Sequence, residues 1–373
     1  MKFEKYPFEK MRELLAGIEP NHKYEAIDLT IGEPQLETPQ FIQESFKSSS
    51  ELLRKYPKSG GEKFLKDSMI AFVQKRFGVS LEDNQLIPTF GTREVLFNFP
   101  QYYLADVKNP KMAFTNPFYQ IYEGASIASG ADVKYINLTK ENRFQPNIDE
   151  KILEDIHLVI LNFPNNPTGA TISFEELKRW IELSQKYDFL LLNDECYSEI
   201  YINQPPLSLL EVAKEMGISD FKNLLVVNSL SKRSSAPGLR SGFIAGDSSI
   251  LSGYIRYRTY LGTAIPLPLQ VASAKAWSDE VHVEKSREVY RENMRLAKKI
   301  LGVSNEATFY LWLEVEDDLK ATVELYRDYN LKVIAGRFLG RDGEGENFIR
   351  VALVEKPNRV QKALEILKIY LNK

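Results

Sequence analysis

The chain has 373 residues, 43% hydrophobic and 27% charged, with a formal net charge of −3. That length is generous for one core and suits a large unit with a smaller companion. With no basic stripe there is no surface for nucleic acid, so small-molecule chemistry is expected.

The first residues, "MKFEKYPFEKMREL", are charged throughout and lack the apolar centre of a secretory leader. No apolar run reaches membrane-spanning length, so a cytoplasmic protein without a membrane partner is expected. Strands are expected at 111–116, 131–138, 158–163, 189–194, 223–228 and 242–247, several of them apolar throughout. Helices alternate with them. The clearest spans 174–188, where Ser173 and Glu176 read as a capping box. Its inner stripe is Leu177, Trp180, Ile181, Ser184 and Tyr187. The alternation predicts an α/β class with a mainly parallel sheet flanked by helices.

Beyond about 279 the pattern changes. A charged helix to 301, the strand "TFYLWLEV", another helix, the strand "NFIRVALV" and a last helix read as a smaller α+β unit. Val360, Ala363, Leu364, Leu367 and Leu371 mark one face of that last helix. The expected division is 46–264 for the large unit, with 1–45 and 265–373 forming the small one. The glycine-rich "GRDGEGEN" at 340–347 reads as a flexible loop. Cys196 is the only cysteine, and His22, His157 and His282 are scattered, so no disulfide and no metal site are expected.

Ligands of parallel sheets bind at the carboxyl ends of strands. Three expected strands run into "NFPNNPTG", "NDECYSEIY" and "SLSK". Asn166, Asp194, Tyr197 and Lys232 thereby become candidates for one pocket. Singly each has a plain reading: a turn asparagine, a helix cap, a core tyrosine and a solvated lysine. In this order, on neighbouring strand ends, chance grouping is a poor explanation.

"NNPTG", "DECY" and "SLSKRSSAPGLRSG" together resemble the class I/II aminotransferases, pyridoxal 5'-phosphate enzymes of fold type I, across almost the whole chain. That resemblance implies a large cofactor-binding domain and a smaller α+β domain. It implies that Lys232 forms an imine with the cofactor aldehyde and then acts as the base for the substrate α-proton. It pairs Asp194 with the pyridine nitrogen, Asn166 and Tyr197 with the ring hydroxyl oxygen, and Tyr119 with the ring face.

For the phosphate it implies backbone amides of Thr92 and Arg93 at a helix start after Gly91, with Ser229, Ser231 and Arg240. Tyr56 matches a tyrosine that reaches the neighbouring subunit's phosphate, which implies a homodimer with active sites at the interface. Arg350 matches the clamp for the substrate α-carboxylate, and Gly32 a backbone contact to the same group.

The stretches "KYPFEKMRELLAG", "SLSKRSSAPGLRSGFIAGD" and "YIRYRTYLGTAIPLPLQVASAKAWSDEVHV" are similar to the branch that acts on N-succinyl-LL-2,6-diaminopimelate with 2-oxoglutarate, in lysine biosynthesis. Such multi-carboxylate substrates call for further cations, with Arg233 and Lys58 as candidates. The chain departs from that branch at "IAGRFLGRDGEGEN", where Pro-Gly is usual after the "NLKVI" strand. Alternatives on the same scaffold are an aspartate, alanine or aromatic aminotransferase, or a lyase. A cofactor-binding DNA regulator would need a helix-turn-helix that the first 45 residues lack.

Overall fold

The computed structural model describes residues 1–372. After α1 (Pro7–Leu14) and the short β1 (Ile27–Asp28) come α2 (Gln40–Ser48), α3 (Lys63–Phe77), β2 (Leu86–Thr89) and α4 (Thr92–Tyr103). Next follow β3 (Lys111–Asn116), α5 (Ile121–Ser129), β4 (Asp132–Asn137), β5 (Leu158–Asn162), α6 (Phe174–Tyr187) and β6 (Leu190–Asp194). Then come α7 (Leu209–Glu215), β7 (Leu224–Ser229), α8 (Leu230–Arg233), β8 (Gly242–Gly246), α9 (Ser248–Leu261), α10 (Leu267–Ser278) and α11 (Val281–Leu301). The chain closes with β9 (Tyr310–Glu314), α12 (Asp318–Tyr329), β10 (Leu331–Lys332), β11 (Ile334–Ala335), β12 (Phe348–Ala352) and α13 (Pro357–Leu371).

The main sheet has seven strands in the order β2-β8-β7-β6-β5-β3-β4. Only β8 runs against the others, pairing antiparallel with both β7 and β2. Each strand expected from an apolar run is present. One strand, β2, carries no such signal, because Pro88 interrupts it. A proline lacks the donor a central strand needs, and β2 is an edge.

Successive residues of the central strands feed opposite cores. Val159, Leu161, Leu191, Leu224 and Val226 pack on one face of the sheet. Leu158, Ile160, Leu190, Leu192, Leu225 and Val227 pack on the other. This two-sided burial explains the unbroken apolar runs. On α6, Ser173 Oγ accepts from the Glu176 amide at 3.2 Å. Only half of the expected box forms, because the Glu176 carboxylate turns to Arg179 at 3.3 Å. Tyr187, expected on the inner stripe, is half-buried, with its hydroxyl donating to Glu150 at 3.3 Å.

The smaller layer is the antiparallel sheet β11-β12-β9 with the β1-β10 pair, covered by α11, α12 and α13. Val360, Ala363, Leu364 and Leu367 are fully buried there, whereas Leu371 at the helix end is 38% exposed. Two helices expected with this layer pack on the main sheet. Ile42 of α2 and Ala272, Ala276 and Trp277 of α10 belong to the large core, with Trp277 against Phe72 at 4.8 Å. The glycine-rich loop is anchored, contrary to expectation. Arg341 exchanges two backbone bonds with the Asn116 side chain, both at 3.0 Å. Its guanidinium pairs with Glu123 of α5 at 2.5 Å.

Candidate active site

From β3 the chain steps to β4 on one side and then returns to β5 on the other. The direction of strand order reverses there, which opens a crevice at the carboxyl edge. Asn162 ends β5 beside Asp194, which ends β6. Ser229 ends β7, and one turn of α8 then sets Lys232 over the same edge. Tyr119 follows the end of β3.

A cavity of about 1050 Å³ lies over these strand ends. Gly32, Thr92, Arg93, Tyr119, Asn166, Asp194, Tyr197, Ser229, Ser231, Lys232, Arg240 and Arg350 all line it. The structure thus gathers residues from seven stretches of sequence and from both layers.

On its floor Asp194 is buried, with one donor on each carboxylate oxygen. Its carboxylate accepts from Tyr122 Oη at 2.8 Å and from the Cys196 amide at 3.2 Å. Burial nevertheless pushes its pKa upward, with those two donors opposing. A cation placed against it would favour the ionised form. Lys232 Nζ donates to the carbonyl of Gly32. Desolvation pushes this amine down to about 8; Glu33 pulls the other way and Arg350 and Arg93 add to the fall. At that value about a tenth of the lysines are neutral and nucleophilic at pH 7.

One end of the cavity is an anion niche. The Gly91 φ of 75° opens α4, whose first amides have no side-chain cap. A Cβ at Gly91 would run into Arg240 Nη2. Arg240 donates to Pro237 O at 2.9 Å and to Phe90 O at 3.2 Å, which fixes its fork beside the helix start. Ser229 Oγ and Ser231 Oγ lie 2.9 Å apart on the same side. Free amides, hydroxyls and a guanidinium at a helix N-terminus form a phosphate-type site. Behind it, Glu94, whose side chain is 7% exposed, accepts from the Phe90 amide at 2.7 Å and from Arg258 at 2.8 Å and 3.0 Å.

The opposite wall comes from the smaller layer. Arg350 on β12 is buried and donates to Asn166 Oδ1 at 2.8 Å and to Thr30 O at 2.6 Å. Because Asn166 Oδ1 accepts from Arg350, the amide nitrogen is left to face the cavity as a donor. Tyr197 Oη lies 2.8 Å from Tyr310 Oη. Ile334 and Leu339, from the segment that departs from the expected pattern, complete the far wall with Tyr6 and Phe8 of the N-terminal stretch.

Three candidates lie elsewhere. Tyr56 is fully exposed, outside this chain's cavity. Lys58 is on the surface, paired with Glu62 at 3.1 Å. Arg233 follows Lys232 but points into the large core, held by Ala276 O at 2.7 Å and Glu280 at 2.6 Å. One residue along a helical turn rotates a side chain by about 100°, so neighbours in sequence part company. Sequence reasoning missed Tyr122, Glu94, Arg258 and Tyr310. Their signals are ordinary for core aromatics and helix charges. Among the described residues no cluster of His, Cys, Asp or Glu is placed to hold a metal, and no helix is long and apolar enough to cross a membrane.

Comparison with known proteins agrees with this architecture. The family model "Aminotransferase class I and II" matches residues 24–367. The LL-diaminopimelate aminotransferase of Natranaerobius thermophilus is 30% identical over 372 residues, covering 93% of this chain and 92% of that protein. The crystal structure of the aminotransferase AspB from Helicobacter pylori shares 48% identity and a TM-score of 0.98, with 100% of both chains covered. An aminotransferase structure from Neisseria meningitidis shares 37% identity and a TM-score of 0.94, covering 99% of this chain and 98% of that one. The chain belongs to the class I and II aminotransferases, pyridoxal-phosphate enzymes of fold type I that exchange amino groups between amino acids and 2-oxo acids.

Proposed function

We propose that this aminotransferase takes amino donors bearing several carboxylates, with N-succinyl-LL-2,6-diaminopimelate as donor and 2-oxoglutarate as acceptor. One observation carries this reading: a third guanidinium in the cavity, besides Arg350 and the Arg240 of the anion niche. Arg93 lines the cavity and spends only its Nε, on Tyr119 Oη at 2.7 Å. No carboxylate pairs with it among the described residues, so most of its fork is free for a distal carboxylate. Arg93 therefore supplies the spare charge for which Arg233 and Lys58 were candidates.

The residues present fit pyridoxal phosphate, since the Gly91 cradle, Ser229, Ser231 and Arg240 suit its phosphate. Asp194 suits a protonated ring nitrogen, and Asn166 and Tyr197 offer donors to the ring oxygen. The bound pyridoxal ring supplies the electron sink that makes the donor's α-proton acidic. Lys232 takes that proton from the α-carbon, a task its lowered pKa suits near neutral pH. Arg350 and the Gly32 backbone hold the α-carboxylate and so orient the α-hydrogen toward Lys232.

A homodimer is part of the same reading. Leu53, Tyr56 and Tyr260 are 68%, 100% and 88% exposed. The Tyr56 loop is tied to α9, which carries Tyr260, through Arg258 Nη1 and Ser59 O at 2.9 Å. These exposed groups on two linked segments support an association surface there. A mixed dimer tests it, with Tyr56→Phe in one chain and Lys232→Ala in the other. If Tyr56 serves the partner's site, one intact site remains and half the activity survives. If it serves its own chain, the only live site is impaired.

The substrate is tested by a panel of amino donors with 2-oxoglutarate: N-succinyl-LL-2,6-diaminopimelate, LL-2,6-diaminopimelate, aspartate, alanine and phenylalanine. The succinylated donor is expected to lead, and Arg93→Met to lower its kcat/KM by about tenfold to a hundredfold, the worth of a charge-assisted bond. A preference for alanine or phenylalanine would defeat the reading. The unsubstituted donor is the second reading, motivated by the relative from Natranaerobius thermophilus.

A further inference from the structure

We propose that Tyr310 is a positioning residue. Its hydroxyl donates to Tyr197, turning Tyr197's own proton toward the cofactor's ring oxygen, while its ring supports Arg350. This rests on the site reading above and adds a residue to it.

Tyr310 is 2% exposed, and its hydroxyl has one hydrogen-bond partner among the described residues, Tyr197 Oη at 2.8 Å. Each hydroxyl carries a single proton. If Tyr197 gave its proton to Tyr310, it would have none for a ligand oxygen, and Tyr310's proton would have no acceptor. Donation from Tyr310 to Tyr197 uses both protons. An anionic oxygen in the cavity then fixes this direction, and each bond in such a chain strengthens the next.

The geometry leaves Tyr310 little freedom. Its ring meets the Tyr197 ring edge-on, with centroids 5.5 Å apart. Its carbonyl accepts from Asn305 Nδ2 at 2.5 Å. Gly32 closes the other side, where any Cβ would collide with the Tyr310 hydroxyl. The guanidinium carbon of Arg350 stands 4.5 Å from the ring centroid, a cation–π contact in a site shielded from water. One side chain therefore touches the donor to the ring oxygen, the carboxylate clamp and the glycine beside it.

The test is a pH titration of the visible absorbance of the holoenzyme, with donor KM measured in parallel. Tyr310→Phe keeps the ring and loses the hydroxyl. With less stabilisation of the ring oxygen anion, its midpoint is expected to rise by about half to one pH unit, roughly three- to tenfold in the proton equilibrium. The donor KM is expected to stay within about twofold, since the ring still supports Arg350. In a Tyr197→Phe background the same change should leave the midpoint still. A wild-type midpoint in folded Tyr310→Phe would overturn the proposal. An equal shift with and without Tyr197 would overturn it too, because the effect would not pass through that hydroxyl. Wild-type protein that takes up pyridoxal phosphate without any visible band would instead overturn the lysine assignment beneath it.

Discussion

Replacing Arg350 by alanine should damage the reaction with every amino donor by a similar factor. In the structure this guanidinium commits one N–H of Nη1 to Asn166 and one of Nη2 to Thr30. Its Nε is buried with no partner. Each terminal nitrogen keeps a second N–H, so the fork can meet a carboxylate with two parallel bonds. Charge-assisted bonds contribute about 1.5–3 kcal/mol each. Two of them sum to about 3–6 kcal/mol, or roughly 10²–10⁴ in kcat/KM. Because alanine also strands Asn166 Oδ1 and the buried Thr30 carbonyl, melting must be followed alongside. Arg350→Lys keeps the charge but not the fork, and a fall of about 10–100-fold is expected. The assay is a stopped-flow half-reaction with donors carrying one, two and three carboxylates. The reasoning fails if Arg350→Ala keeps kcat/KM within tenfold, or if the loss is confined to multi-carboxylate donors. The latter outcome would move Arg350 to the distal end of the substrate.

The lowered Lys232 pKa, about 8, makes the unloaded protein pH-sensitive. The neutral amine is the reactive form, so the rate of cofactor uptake should rise from pH 7 to about 8.5 and then level off. A rate flat across that range would exclude a depressed lysine. The sign for stability follows: between about 8 and 10.5 the unfolded chain binds more protons at this lysine, so the apoprotein gains stability as pH rises there. Gly91→Ala puts a Cβ against Arg240 at a φ of 75°, and should weaken cofactor binding by more than about tenfold in equilibrium dialysis while far-ultraviolet dichroism is unchanged. Glu94→Ala leaves buried Arg258 without its counter-ion. It should cost about 3–5 kcal/mol in denaturant unfolding; a loss below 1 kcal/mol would show that the pair is idle.

The layered fold and the floor of the site are both legible in the residues, for one reason. Parallel strands buried on two faces write long apolar runs, and the polar residues that end those runs stand out against them. Asp194 after "FLLLN" and Lys232 after "NLLVVNSLS" are visible on that ground. Tyr310 is not, because "TFYLWLEV" reads as an ordinary core strand and its partner Tyr197 lies 113 positions away. Glu94 and Arg258, 164 positions apart, look like helix-surface charges until the fold brings them together. Helix α10 lies in the stretch after 264 that reads as the smaller layer, yet it packs on the large core. Its packing is set by Trp277 against Phe72 and Phe243, contacts that no local pattern encodes. Arg233 shows the opposite failure: proximity in sequence to Lys232 suggested a role that the rotation of one helical turn removes.

The cavity's two walls have separate owners. The groups suited to the cofactor are fixed at the edge of one deeply packed sheet, whereas Arg350, Ile334 and Leu339 come from the smaller layer and its anchored loop. Substitutions in residues 331–347 can reshape the room left for a donor's side chain without disturbing Lys232 or Asp194.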